Sequence, residues 1–120
     1  MTATPPSSRR WFAWLNQNES RQLVLVVNYE ALRTEPLATL IQSRLWSLVV
    51  ADESHKIKSP SSTIAKYFAK LRVVAERCVC LTGTPMAQSP LDLWGQFKFL
   101  DPTTFGKSFV RFRSRYAILC

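Results

Sequence analysis

Two short runs in this chain combine residue types that can handle a phosphate-bound metal ion. Asp52 and Glu53 are adjacent acids closing the apolar run Leu48-Val49-Val50-Ala51, and Ser54-His55 follows them. Mg²⁺ is a hard cation that takes carboxylate oxygens and keeps several of its waters. One acid can hold such an ion, directly or through water, beside nucleotide phosphates. Its neighbour can then orient or deprotonate an attacking water. Neighbouring strand-end residues project in different directions, so the two carboxylates can do different work. The second run, Leu81-Thr82-Gly83-Thr84-Pro85, places two hydroxyls around a glycine after another apolar stretch. Each run alone also fits a plainer description. Acids commonly open solvated loops, and Thr-Gly-Thr-Pro reads as an ordinary turn.

The surrounding pattern supplies elements that could position these residues. Leu23-Val24-Leu25-Val26-Val27 reads as a strand buried on both faces, Leu48 to Ala51 as a second and Cys78 to Leu81 as a third. Trp11 to Leu15 fits a short helix. Pro36 suits the first turn of another, with Leu37, Leu40, Ile41 and Leu45 on one face. Ser59-Pro60 offers an N-cap and a first-turn proline for a helix whose apolar face is Ile64, Tyr67, Phe68 and Leu71. Ser89-Pro90 with Asp92 opens the next, carrying Leu93, Trp94, Phe97 and Leu100. Phe105, Phe109, Phe112 and Tyr116 then recur at helical spacing. Alternating strands and helices predict an α/β fold with a parallel sheet flanked by helices. Both chemical runs fall at carboxyl ends of strands, where such sheets bind ligands. Three strands are few for a sheet covered on both faces, so the layer is expected to belong to something larger.

At 120 residues the chain has room for one ordinary domain. Residues 1–22 read as a disordered or irregular lead and 23–120 as the domain. No apolar run is long enough to span a membrane. Sixteen Lys/Arg against eight Asp/Glu leave a formal charge of +8, which favours polyanionic partners or serves general solubility. Cys78, Cys80 and Cys120 form no C-x-x-C pair and accompany a single histidine, so a zinc site is not expected. Buried free thiols in a reducing compartment are. Arg9-Arg10 imitates an export signal, but Asn16-Gln17-Asn18-Glu19 is polar where an apolar region would follow.

The residues from Asp52 to His55 resemble the D-E-x-H box of superfamily-two helicases and translocases, and Leu81 to Pro85 resembles the motif that follows it in those proteins. Val27-Asn28-Tyr29-Glu30 upstream, and Ser89 to Trp94 and Phe99-Leu100-Asp101-Pro102 downstream, extend the likeness. Together they resemble the first RecA-like domain of Swi/Snf-type DNA translocases. The closing Phe109 to Ala117 looks most like the branch holding annealing helicases and related bacterial or phage proteins. The resemblance implies ATP and Mg²⁺ as cofactors, with Asp52 holding the metal, Glu53 positioning the hydrolytic water and His55 linking the nucleotide site to a second RecA-like lobe. It implies that Thr82, Gly83 and Thr84 couple phosphate state to domain closure. Asn28, Tyr29, Lys56 and Lys58 would lie near DNA, expected to be duplex. Such a motor would work in the cytoplasm at the nucleoid if bacterial or phage, and in the nucleus if eukaryotic.

The sequence departs from the family in two places. The family's Gln-Asn step after the proline is Ala87-Gln88 here. No glycine precedes Gly83, so no G-x-x-x-x-G-K-[ST] loop lies ahead of the acid box. Phe105-Gly106-Lys107-Ser108 contains Gly-Lys-Ser, but Asp101 stands where the first glycine would be and no strand leads in. It is read as a turn and a helix start. The isolated chain is therefore expected to be a fragment of a motor with negligible ATPase. Another superfamily-two helicase such as a restriction-type motor subunit, or a non-enzymatic remnant binding DNA or a partner lobe, are the alternative readings.

Overall fold

The computed structural model describes residues 13–15, 17–18 and 22–117. The chain divides into two compact units, Met1–Arg44 and Leu45–Cys120.

In the first unit, Ala13–Leu15 is helical, and Trp11 and Phe12 lie outside the described residues. A 3₁₀ turn at Glu30–Arg33 precedes α1, Leu37–Gln42. The Asn28 side chain accepts a hydrogen bond from the Ala31 amide at 2.8 Å, tying down the start of that turn. Glu35 does the same for α1, accepting from the Thr39 amide at 3.2 Å and from its hydroxyl at 2.7 Å. A carboxylate here also suits the positive end of the helix. Ala38, Leu40 and Ile41 are buried, but the helix stops before Leu45, which is exposed. Pro36 caps α1 rather than sitting inside its first turn.

The expected strand at Leu23–Val27 is not formed. These residues join no ladder, and Val24 and Val26 are 86% and 87% exposed. An apolar run expresses a tendency to be buried, but a strand exists only by pairing. The described sheet has two strands, which pair with each other.

The second unit runs β1 (Trp46–Asp52), a 3₁₀ turn (Ser54–Ile57), α2 (Thr63–Val74), β2 (Ala75–Leu81), a 3₁₀ turn (Pro90–Asp92), α3 (Leu93–Leu100) and α4 (Phe109–Tyr116). β1 and β2 are parallel, in a register that sets Trp46 beside Ala75 and Asp52 beside Leu81. This is the α/β arrangement the alternation predicts, with α2 as the crossover between parallel strands. The cap of α2 is Ser62, whose hydroxyl accepts from the Ala65 amide at 3.1 Å. Ser59 and Pro60 form the turn before it, correcting the expected start by about one helical turn. For α3 the expectation holds: Ser89 caps the leading turn through the Leu91 amide.

Ile64, Phe68 and Leu71 of α2 and Phe99 of α3 are buried in the core, with the Phe68 and Phe99 rings edge-to-face at 5.1 Å. Burying one such side chain contributes about 1.5–3 kcal/mol. A second aromatic group joins Trp94 of α3 to Phe109 and Phe112 of α4. Phe105 precedes α4 yet packs on Phe97, Phe112 and Tyr116. Gly106, at φ +78°, makes the turn that lets it do so. Leu48, Val50, Val79 and Leu81 share the other, solvent-facing side of the sheet. An apolar face on both sides is characteristic of parallel sheets made to be covered twice.

Candidate functional site

Parallel pairing has a direct consequence for the chemistry. Because Asp52 registers with Leu81, the acid run and the Thr-Gly-Thr run leave the sheet side by side at its carboxyl edge. Two segments far apart in sequence thus become one surface. His55 joins them. Its Nδ1 lies 3.2 Å from the Thr82 hydroxyl, and its Nε2 lies 3.5 Å from a Glu53 carboxylate oxygen. The Thr82 hydroxyl also accepts from the Thr84 amide at 3.1 Å. One proton arrangement satisfies every group. Thr82 donates to Nδ1 while accepting from Thr84, and the Nε2 proton faces Glu53. Glu53, His55, Thr82 and Thr84 therefore form a continuous polar chain.

Glu53 occupies the left-handed region at φ 53°, ψ 47°, unusual for a residue with a Cβ. That conformation costs about 1–2 kcal/mol, and it re-aims the chain sharply as it leaves β1. Its amide donates to Asp52 Oδ1 at 3.0 Å, turning the two acids into a compact corner. Both carboxylates are exposed.

The corner is anchored from behind by residues that sequence reasoning missed. Ser54 is fully buried, and its hydroxyl donates to Gln96 Oε1 at 2.7 Å. The Gln96 amide nitrogen in turn donates to the Pro85 carbonyl and to the Asp92 carbonyl, each at 2.9 Å. One side chain of α3 thus holds the middle of the acid run and the end of the threonine run. Gly95 lets α3 come close enough: a Cβ there would lie 2.1 Å from the Ile57 carbonyl oxygen and 2.6 Å from that of Lys58. A polar residue on an otherwise apolar helix face, next to a mid-helix glycine, is the sequence signal that could have found this strut.

The remaining site residues are placed as follows. Apart from its two chain neighbours, no described residue comes within 4 Å of where a Gly83 Cβ would stand, so it is open to an approaching group. Lys56 is exposed beside the acid corner. Lys58 is drawn inward, 3.7 Å from an Asp92 carboxylate oxygen and 3.3 Å from Gln88 Oε1. The same Asp92 oxygen accepts the Gln88 amide at 2.9 Å. Gln88, where the family carries Asn, is therefore engaged with the helix cap. Asn28 and Tyr29 belong to the other compact unit, at the head of its 3₁₀ turn. Gly106-Lys107-Ser108 is a turn and a cap, with the Ser108 hydroxyl accepting from the Arg111 amide. Cys78 and Cys80 are free and partly buried. Burial pushes the Cys80 thiol up to about 11, against a weaker opposing effect of its hydrogen bond with Ser54. Cys120 lies outside the described residues.

The donor set suits magnesium carried with a nucleotide better than a resident ion. No group of three or more His, Cys, Asp or Glu among the described residues could cage a metal. Two exposed adjacent carboxylates match the few protein oxygens that Mg²⁺ takes when phosphates and water supply the rest. No described helix is long and apolar enough to cross a membrane.

Comparison with known proteins agrees with this geometry. The model of the SNF2-related domain matches residues 5–118. The chain is 36% identical over 94 residues to the Zorya protein ZorD of Escherichia coli, covering 73% of this chain and 8% of that protein. It is 39% identical over 83 residues to an uncharacterized ATP-dependent helicase of Mycoplasma pneumoniae, covering 69% of this chain and 8% of the relative. With the bovine DNA annealing helicase and endonuclease ZRANB3 it shares 33% identity over 99 residues, 81% of this chain and 9% of the relative. The chain thus spans less than a tenth of the length of each of these relatives.

Proposed function

The chain belongs to the family of the SNF2-related domain, and from that premise we propose that it supplies the metal- and water-handling part of the ATP site in a DNA-translocating motor. The observation that carries this reading is the polar chain from Glu53 through His55 to Thr82 at the shared edge of two parallel strands. It gives the acid corner a physical connection to a loop that can respond to phosphate. Relatives named as an ATP-dependent helicase and a DNA annealing helicase support the same class.

In this reading Asp52 presents its carboxylate to a hydrated Mg²⁺ ion. When bound, that ion would neutralise phosphate charge and orient the transferred group. Glu53, re-aimed by its left-handed backbone, holds and polarises the attacking water. His55 senses the charge on Glu53 through Nε2 and passes a change of hydrogen bonding to Thr82. Gly83, uncrowded by its own chain, lets a phosphate or a facing lobe approach the backbone. Lys56, Asn28 and Tyr29 are assigned to the DNA path, probed as duplex. Lys58 belongs there only when it leaves Asp92. The phosphate-gripping loop and the completing arginines would come from other parts of a longer motor, and the 120-residue chain alone would turn over ATP negligibly. Its setting would be the nucleoid in a bacterial or phage context and the nucleus in a eukaryotic one.

The test is a magnesium titration of ATP turnover in a motor reassembled around this segment. Asp52→Asn should raise the half-saturating magnesium concentration at least tenfold. An unchanged magnesium requirement would remove Asp52 from the metal site.

A further inference from the structure

Lys58 is held by Asp92, which draws attention to where this second unit keeps cations without acid partners. One run of them lies toward the end of its sequence. Lys107, Arg111, Arg113 and Arg115 fall within residues 102–117, a stretch without a single acid. The ion pairs among the described residues are His55–Glu53 and Lys58–Asp92, and none of these four cations has an acid partner among those residues. The neighbouring acid, Asp101, is occupied locally: Thr103 and Thr104 donate to its carboxylate, which holds it charged below its usual range.

These cations also have a shape around them. Lys107, Arg111 and Arg115 line a groove of about 600 Å³ whose floor includes Phe105, Phe112 and Tyr116. Arg111 and Arg115, four residues apart within α4, share a helix face with about 6 Å of rise between them, and Lys107 stands in the turn just before the Ser108 cap on the same groove wall. The floor is fixed, because Phe105 and Phe112 pack 4.9 Å apart and both contact Tyr116. The hydroxyls of Ser108 and Ser114 are spent on the backbone of the same helix, so they do not compete for the cations. Exposed guanidinium and ammonium groups gathered on one groove over a packed aromatic floor fit a repeating anion. Arg forks match phosphate oxygens in particular.

We propose that the groove formed by Lys107, Arg111 and Arg115 is a contact site for a nucleic-acid phosphodiester backbone, separate from the Asp52–Thr82 edge. It rests on the reading of DNA as the partner, but not on the assignment of the ATP site. Contacts of this kind bind without reading sequence and release counterions.

The experiment measures anisotropy of a labelled random-sequence duplex with the 120-residue chain from 50 to 200 mM salt. Lys107→Gln/Arg111→Gln/Arg115→Gln should lower affinity at least tenfold at 50 mM. It should also flatten the slope of log K against log salt by about 2.7, from three lost phosphate contacts at about 0.9 each. Arg111→Lys/Arg115→Lys should keep most of the slope. Lys66→Gln/Lys70→Gln/Arg77→Gln removes the same charge elsewhere and should change affinity less than threefold. Equal losses from both triple variants, loss from neither, or no binding by the unmodified chain would each overturn the proposal. So would equal affinity for poly-glutamate of matched charge. Glu53→Gln should leave the slope unchanged, so failure at the ATP site and failure at the groove are read separately.

Discussion

Replacing Gly95 by alanine sets two well-characterised effects against each other. In an exposed helix the exchange would stabilise, since glycine is about 1 kcal/mol less favourable than alanine in a helix interior. Here the new Cβ would lie 2.1 Å from the Ile57 carbonyl oxygen and 2.6 Å from the Lys58 carbonyl oxygen. Both are backbone atoms, so no side-chain rotation relieves the clash. To reach an ordinary contact distance, α3 and the Ser54–Ile57 turn must separate by about 1 Å or more. Ile57 is fully buried and Ser54 is pinned to Gln96 on the same helix, so that movement disrupts packing on both sides. Overpacking of this kind costs about 1–3 kcal/mol. After the propensity gain, a net loss of up to about 2 kcal/mol remains, and Tm should fall by up to about 15 °C for a domain of this size. Thermal and urea unfolding followed by circular dichroism measure it directly. Movement of the turn should also break the 3.2 Å contact from His55 to Thr82, visible as a changed imidazole nitrogen shift by NMR. A Tm that rises on Gly95→Ala would refute the close approach of α3 to the acid run.

Three further outcomes follow from the same contacts. Gln96→Leu leaves the buried Ser54 hydroxyl and the Pro85 carbonyl without this partner and should cost about 1–3 kcal/mol; Ser54→Ala combined with it should cost less than the two single changes added, as a double-mutant cycle on unfolding free energy will reveal. Because burial raises the Cys80 thiol from 9.0 to about 11, its thiolate at pH 8 is about a hundredfold scarcer than that of an ordinary thiol, so iodoacetamide labelling followed by mass spectrometry should be correspondingly slow and should accelerate as pH rises toward 11. Lys58→Met removes the cation facing the largely buried Asp92 and should lower Tm by several degrees, whereas a lysine held only in solvent would leave it within about one degree.

The parts of the fold visible in the sequence are those set by local chemistry. Apolar runs ending in acids or in Thr-Gly-Thr mark β1 and β2, and helical spacing marks the buried face of α2. On α3 the same spacing points to Leu93, Trp94, Phe97 and Leu100, of which Trp94 alone is buried, because the helix turns Gly95, Gln96 and Phe99 inward toward the acid run and α2. On α4 the aromatic repeat marks the ring cluster, with Phe112 its buried member and Tyr116 exposed. The start of α2 was misread because two serines three residues apart can each cap a helix, and only the three-dimensional course decides that Ser62 does. Leu23–Val27 was misread because hydrophobicity does not name a partner strand. The acid corner and its threonine loop were legible as motifs, but their joining by His55 depends on the parallel register. Gly95 and Gln96 stayed invisible because their partners, Ile57 and Ser54, lie about forty residues earlier. Lys58 looked like a phosphate contact because sequence shows a charge and not the acid that faces it.

The central claim is that Glu53 positions the water that attacks ATP in a DNA-stimulated motor. Its most direct test is DNA-stimulated ATP turnover by a full-length motor carrying this segment, with Glu53 changed to Gln. The exchange keeps the size and the hydrogen-bonding reach of the side chain while removing its charge. The account predicts that kcat falls by about 10²–10⁴ while nucleotide binding persists. Turnover within a few-fold of the unmodified motor would contradict it.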